Sequence, residues 1–144
     1  MMLVDGKKII GRLENISLPE FGLSNINSKI DTGAYRGSIH ASVIEEVEIN
    51  GAMVLKIIFL DEDHPEHNNK EFFVKKYKKT TVKNSIGGKI DRYIISTTII
   101  IGGETIEVDM GISDRKDMRY PIIIGRKPIK KHFIVDVSKK FINS

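Results

Sequence analysis

Cysteine is absent from the 144 residues, so the chain forms no disulfide, has no thiol nucleophile and cannot build a thiolate zinc or iron–sulfur site. Whatever chemistry it performs rests on oxygen and nitrogen. Tryptophan is absent too, and the four prolines, Pro19, Pro65, Pro121 and Pro128, are too scattered to mark a linker. No apolar run approaches the ~18 residues a membrane helix needs, and Met1 to Lys8 lacks the apolar centre of a secretory signal. A soluble, cytoplasmic protein without a membrane partner is expected. Charge of one sign is also scarce. Lys+Arg 23 against Asp+Glu 19 gives +4, which falls short of a nucleic-acid footprint and leaves only a mild bias toward acidic partners.

What is present is ordinary globular material. Hydrophobic residues at 40% and charged residues at 29% predict a folded chain, and the length suits one domain spanning residues 1–144. Isoleucine is the commonest residue, and β-branched runs broken by Asn, Asp and Gly predict a mainly β structure. Asn50-Gly51 between Val43–Ile49 and Ala52–Leu60 predicts a type I′ hairpin. A second hairpin runs from Tyr93–Ile101 through Gly102-Gly103 to Glu104–Ile112, where Ile106 and Val108 alternate with Glu107 and Asp109. Shorter strands are predicted at Lys7–Leu13, Ile26–Asp31, Glu71–Val74, Ile122–Ile124 and Phe133–Val137. One short helical turn is predicted across Lys127–His132, with Pro128 in its first turn. Asp61–Lys70 and Lys83–Asp91 read as surface loops.

The most informative stretch is Lys29-Ile30-Asp31-Thr32-Gly33-Ala34, where an apolar strand runs into a carboxylate beside a glycine turn. The plain reading is a turn in which Asp31 accepts from nearby N–H groups. The chemical reading is a metal-free hydrolase, in which one carboxyl activates water while a second polarises the carbonyl. Further on come Ser85-Ile86-Gly87-Gly88-Lys89, ahead of the second hairpin, and Pro121-Ile122-Ile123-Ile124-Gly125-Arg126 after it.

This order resembles the retropepsins, the aspartic proteases of retroviral type. It is most similar to a bacterial retropepsin-like family labelled "ATP-dependent zinc protease". That family's motifs stand here as Lys29 to Ala34, Ile39-His40-Ala41, and Arg115, Met118, Tyr120, Pro121, Ile124, Gly125 and Arg126. The resemblance implies an all-β, closed acid-protease barrel with one short C-terminal helix, and peptide-bond hydrolysis in a homodimer. Asp31 of each subunit would form the dyad, and Thr32 and Gly33 would shape its turn. Ala34, Ile86, Gly87 and Gly88 would contact substrate, the last three as a flap. Arg126, Arg115 and His40 would be structural supports, and no metal or cofactor is called for. Two departures stand out: an extra hairpin and loop between Ser42 and Val82, and Tyr35 where retroviral enzymes carry the acid that pairs with the arginine of Gly-Arg. Arg126 therefore needs another partner.

Other readings remain open at this point. The chain could be an inactive peptide-binding module or a ligase accessory with Asp31 kept for structure. It could be a metal-dependent hydrolase using His40, His64 or His67, although Asp61 to His67 does not match His-Glu-x-x-His. Gly87-Gly88-Lys89 lacks the spacing of a phosphate-binding loop, so nucleotide binding is not expected. Lys75-Lys76-Tyr77-Lys78-Lys79 with Lys83 reads first as a solvated strand edge, and second as an attractor of acidic peptides.

Overall fold

The computed structural model describes residues 3–83, 85–114 and 119–143. In chain order the strands are β1 (Leu3–Val4), β2 (Lys7–Gly11), β3 (Leu13–Leu18), β4 (Leu23–Ile30), β5 (Gly37–Ile49), β6 (Ala52–Phe59), β7 (Phe72–Val74), β8 (Tyr77–Lys83), β9 (Lys89–Ile101), β10 (Glu104–Ser113), β11 (Ile122–Ile124) and β12 (Phe133–Asp136). A 3-10 turn, Pro19–Phe21, joins β3 to β4, and the helix α1, Arg126–Ile129, follows β11. The all-β expectation holds, with one short helix where Pro128 pointed.

Alternation builds the core. Ile95, Ile99 and Ile101 of β9 and Ile106, Val108, Met110 and Ile112 of β10 all bury their side chains, while Ser96, Glu107 and Thr105 face out. The strands close in the order β10-β9-β3-β4-β11-β5, and β5 returns to β10 to complete a six-stranded barrel. Two neighbours in this ring are parallel, β4 with β11 and β5 with β10. A separate small sheet, β1-β2-β12, lies outside the ring.

Two long strands each serve two structures. Residues 37–40 of β5 belong to the barrel, whereas from Ala41 onward the strand pairs with β6, with a bulge between Ala41 and Val43. The arm so formed turns at Asn50-Gly51, with positive φ of 52° and 80° as the sequence predicted. Phe21, Phe59 and Phe72 seal it to the barrel, with ring centroids 4.6, 5.0 and 5.9 Å apart. The second long strand, β9, pairs with β10 from Tyr93 to Ile101 and with β8 from Lys89 to Ile95.

Several boundaries differ from the sequence reading: β5 begins at Gly37 rather than Val43, and β9 at Lys89 rather than Tyr93. Lys7–Leu13 is not one strand: the chain changes sheets at Arg12, and β3 continues to Leu18. β4 begins earlier, at Leu23. Lys83–Asp91 is mostly hairpin rather than loop, because Lys83 pairs with Lys89 and Thr81 with Asp91. A ribbon exposed on both faces carries no apolar alternation to reveal it.

The sheet change at Arg12 is organised by Glu14, which is 1% exposed. Its carboxylate accepts from the Gly11 N–H at 2.8 Å, and from the Asn143 amide and side chain at 3.3 and 3.1 Å. Glu14 thereby ties the C-terminal tail to the barrel entrance. Replacing Glu14 with Leu is expected to lower stability by about 1–3 kcal/mol, since buried donors lose their acceptor. Amide exchange in residues 139–143 should accelerate, and both effects are readable by denaturant titration and hydrogen exchange.

Candidate active site

The parallel pair β4 and β11 ends on one level, Ile30 beside Ile124, with Gly37 of β5 on the other side of Ile124. Asp31 is the first residue past that end. Its amide donates to Ile124 O at 2.8 Å, and its carbonyl accepts from Ala34 N at 3.1 Å. Its carboxylate Oδ1 accepts from the Gly33 N–H at 3.0 Å, an Asx-type turn. Asp31 is half-buried, and Thr32 and Gly33 are exposed at the loop tip.

The other wall is the start of α1. Gly125 N, Arg126 N and Lys127 N donate in succession to the carbonyls of Arg36, Ala34 and Tyr35 at 3.1, 2.9 and 2.9 Å. Contact this close requires glycine. A Cβ on Gly125 would stand 2.7 Å from Ala34 O and from the Tyr35 carbonyl. Gly37, at φ +106°, has the same constraint, since a Cβ there would strike Ile123 O. Arg126 completes the clamp: Nη1 donates to Gly33 O at 3.2 Å and to Thr32 O at 3.4 Å. Its guanidinium also lies 5.5 Å from the Tyr35 ring, joined there by Arg36 at 5.1 Å and Lys127 at 5.8 Å. These loop carbonyls and this ring replace the missing acid. Arg115 lies outside the described residues.

Two concavities flank the loop. One, of 620 Å³, lies on the outward side of β4 and β11 and is lined by Arg12, Lys29, Arg119, Lys140, Tyr120, Phe141 and Ile123, with no acidic side chain among its lining residues. Lys29 and Ile123 share the row one step back from the Ile30–Ile124 row that leads into Asp31. The other, of 310 Å³, is bounded by Arg36, Lys75, Lys76 and Lys78 and by Asp109. The Asp109 carboxylate accepts from Ser96 Oγ at 2.7 Å and from Lys127 Nζ at 3.2 Å, and these bonds hold it below the usual carboxylate range. The lysine cluster of the sequence is thus divided: Lys75, Lys76 and Lys78 line the groove, and Lys79 faces Glu46. The Gly-Gly segment 85–89 is the tip of the β8–β9 hairpin, with Ile86 90% exposed and Gly87 at φ +85°.

His40 is placed elsewhere. It is 3% exposed and sits three residues along β5 from Gly37, about 10 Å down the barrel at ~3.3 Å per residue. It pairs with Asp61, not Asp31: Nε2 is 2.7 Å from Asp61 Oδ1, and Asp114 Oδ1 stands 3.6 Å from Nδ1. The zinc in the resembled family's label does not fit these donors. The two carboxylates address opposite ring nitrogens, and 2.7 Å is a hydrogen-bond separation rather than the roughly 3.3 Å between two ligands of one tetrahedral zinc. His64 accepts from Glu66 N within its own turn, and no described group of three His, Cys, Asp or Glu is arranged to hold a metal.

A closed β-barrel with an Asp-Thr-Gly-Ala turn clamped by an Ile-Gly-Arg strand end defines a retropepsin-like protein. The family model described as retropepsin-like aspartic endopeptidase RimB matches residues 9–144, and the chain belongs to this RimB-like family. Curated relatives carry a different name. "Probable alpha-L-glutamate ligase" of Shewanella pealeana is 30% identical over 141 residues, covering 95% of this chain and 30% of the relative. The protein of the same name from Desulfotalea psychrophila is 29% identical, covering 90% of this chain and 28% of its own length. The chain therefore spans under a third of these relatives. A crystal structure of a Legionella pneumophila protein of unknown function has the same fold, with a TM-score of 0.72 at 24% identity, covering 95% of this chain and 98% of that one. Among the described residues no helix is long and apolar enough to cross a membrane.

Gly125→Ala is expected to cost about 2–4 kcal/mol, because the added methyl meets backbone rather than a movable side chain. Thermal unfolding checks this against Gly111→Ala, a glycine without positive φ where the added methyl comes no nearer than 3.4 Å to its neighbours. Asp109 supplies a pH test. Its depressed carboxyl stabilises the fold above its ordinary value of 3.8, and that contribution is lost as pH falls through the lower folded value. The stability gap between the parent and Asp109→Asn should therefore be full at pH 7 and shrink below pH 3.8, as measured by denaturant titration.

Proposed function

We propose that this chain, as one domain over residues 1–144, is an aspartic endopeptidase acting as a homodimer, with Asp31 of each copy forming the catalytic pair. The observation that carries the reading is the Asp31 loop itself. It presents a carboxylate on an exposed turn held rigidly by β11, α1 and Arg126, as a group that must meet its symmetry mate requires. One carboxyl cannot be base and acid at once, so the chemistry needs two copies. With adjacent carboxyls sharing one proton, the ionised member takes a proton from water and the protonated member donates to the peptide carbonyl. The hydroxide so generated adds to the carbon. The tetrahedral intermediate then collapses as the amine leaves with a proton from the dyad, and no covalent enzyme intermediate forms. Thr32 and Gly33 shape the turn, Ala34 and the tip residues Ile86, Gly87 and Gly88 contact the peptide, and no cofactor takes part.

Acidic peptides are the substrate class favoured by the cations beside Asp31. Arg12, Lys29, Arg119 and Lys140 line one side and Arg36, Lys75, Lys76 and Lys78 the other. A second reading, an accessory that binds acidic tails for a glutamate ligase without cleaving them, is favoured by the relatives' name and by the fraction of their length that matches.

One assay separates the two. Parent and Asp31→Asn are compared on a peptide library containing glutamate-rich and neutral members, with sedimentation reporting the oligomer. Loss of cleavage by at least about 10²–10⁴-fold in the variant supports the peptidase, and equal activity in both proteins removes it. Lys29→Gln with Arg119→Gln should raise KM about tenfold on glutamate-rich peptides, the loss of roughly 1.4 kcal/mol of binding, and leave neutral peptides unaffected.

A further inference from the structure

The β8–β9 hairpin leaves the body of the protein at a defined row. The ladder between β9 and β10 ends at Tyr93, so residues 89–92 pair only with β8. Beyond that row the chain is a two-stranded ribbon carrying the 85–89 tip. An isolated ribbon of this kind is only marginally stable in water and has no direction of its own. Whatever grips it at its exit row sets where the tip points.

That grip is Glu46, midway along the β5–β6 arm. Its carboxylate accepts from Tyr77 Oη at 2.5 Å, from Lys79 Nζ at 2.7 Å and from Tyr93 Oη at 3.4 Å. The three donors sit on one face of the ribbon at the two rows where it separates from β10, since Tyr77 pairs with Ile95 and Lys79 with Tyr93. The Tyr77 and Tyr93 rings are 6.0 Å apart, and Lys79 reaches on to Asp91 at 3.7 Å. The charges respond as a working clamp requires: the lysine and tyrosine bonds hold the Glu46 carboxyl below its usual range, and Glu46 raises Lys79 and Tyr77.

We propose that Glu46 is a positioning residue, through which the β5–β6 arm fixes the angle of the β8–β9 ribbon and so the reach of the 85–89 tip over bound peptide. The lever is long. Gly87 lies six residues beyond Tyr93, about 20 Å at ~3.3 Å per residue, so a tilt of about 10° at the clamp moves the tip by about 3.5 Å. The arm is the segment that the minimal viral enzymes lack, and this gives it a task. The tip's contact with substrate rests on the peptidase reading above, whereas the clamp itself does not.

The test compares the parent with Glu46→Ala, Lys79→Ala and the double variant, using hydrogen exchange at residues 85–92 and peptide kinetics. Exchange in the ribbon should rise about fivefold or more in each single variant, with β3, β4 and β11 unchanged as the check on folding. The double variant should add little to the singles, as for two members of one contact. KM should rise about three- to tenfold with kcat altered less than about twofold. Ribbon exchange unchanged in Glu46→Ala overturns the clamp, whether or not the protein cleaves peptides. Faster exchange with KM unchanged in an active enzyme overturns the positioning role. Faster ribbon exchange in the variants, with a parent that cleaves no peptide, keeps the clamp and overturns the peptidase reading.

Discussion

Three consecutive amides at the head of α1, bonded to three consecutive carbonyls after Asp31, are the contact on which the rest depends. Each bond contributes about 1 kcal/mol net, but together they turn a surface loop into a fixed shelf. They form only because two backbones can touch, which restricts Gly37 and Gly125 to glycine. The parallel pairing of β4 with β11 brings those backbones level. Barrel closure through β5 and β10 keeps them there.

Around this shelf the charges divide between internal ties and an exposed lining. Arg126 is consumed by loop carbonyls and by the Tyr35 ring, so it stiffens the turn rather than facing the cleft. Lys127 is tied to Asp109 and Lys79 to Glu46. Arg12, Lys29, Arg119 and Lys140 on one side, and Lys75, Lys76 and Lys78 on the other, supply the positive lining. A chain with a formal charge of only +4 thus gathers cations on both sides of the Asp31 loop, where Asp109 is the one carboxylate among the lining residues of the two concavities.

Much of the fold was legible because its signals are local. Asn50-Gly51 and Gly102-Gly103 announced their hairpins by turn chemistry, Pro128 its helical turn, and Ile122–Ile124 its strand by composition. The candidate site was legible as an ordered set of motifs, Asp-Thr-Gly-Ala ahead of Ile-Gly-Arg, which the structure brings together. The remainder depended on pairings between distant residues. Nothing near Arg126 in sequence indicates that its partners are Thr32, Gly33 and Tyr35, nor does anything near His40 indicate Asp61. The ribbon strand β8 was hidden for a different reason: with both faces wet, its residues obey no burial rule. Glu46 was invisible too, since a glutamate in an alternating strand reads as solvent-facing until the tyrosines of another hairpin are brought against it.

The bulge at Ser42 separates the two duties of β5. The ring is already closed by residues 37–40, so the stagger of the barrel does not depend on how many residue pairs follow. Beyond the Glu46–Leu55 pair the arm could be lengthened or shortened two residues at a time without changing the barrel's circumference or moving Asp31. Arm length is in that sense a freely adjustable dimension of this architecture, open to evolutionary drift or to deliberate redesign.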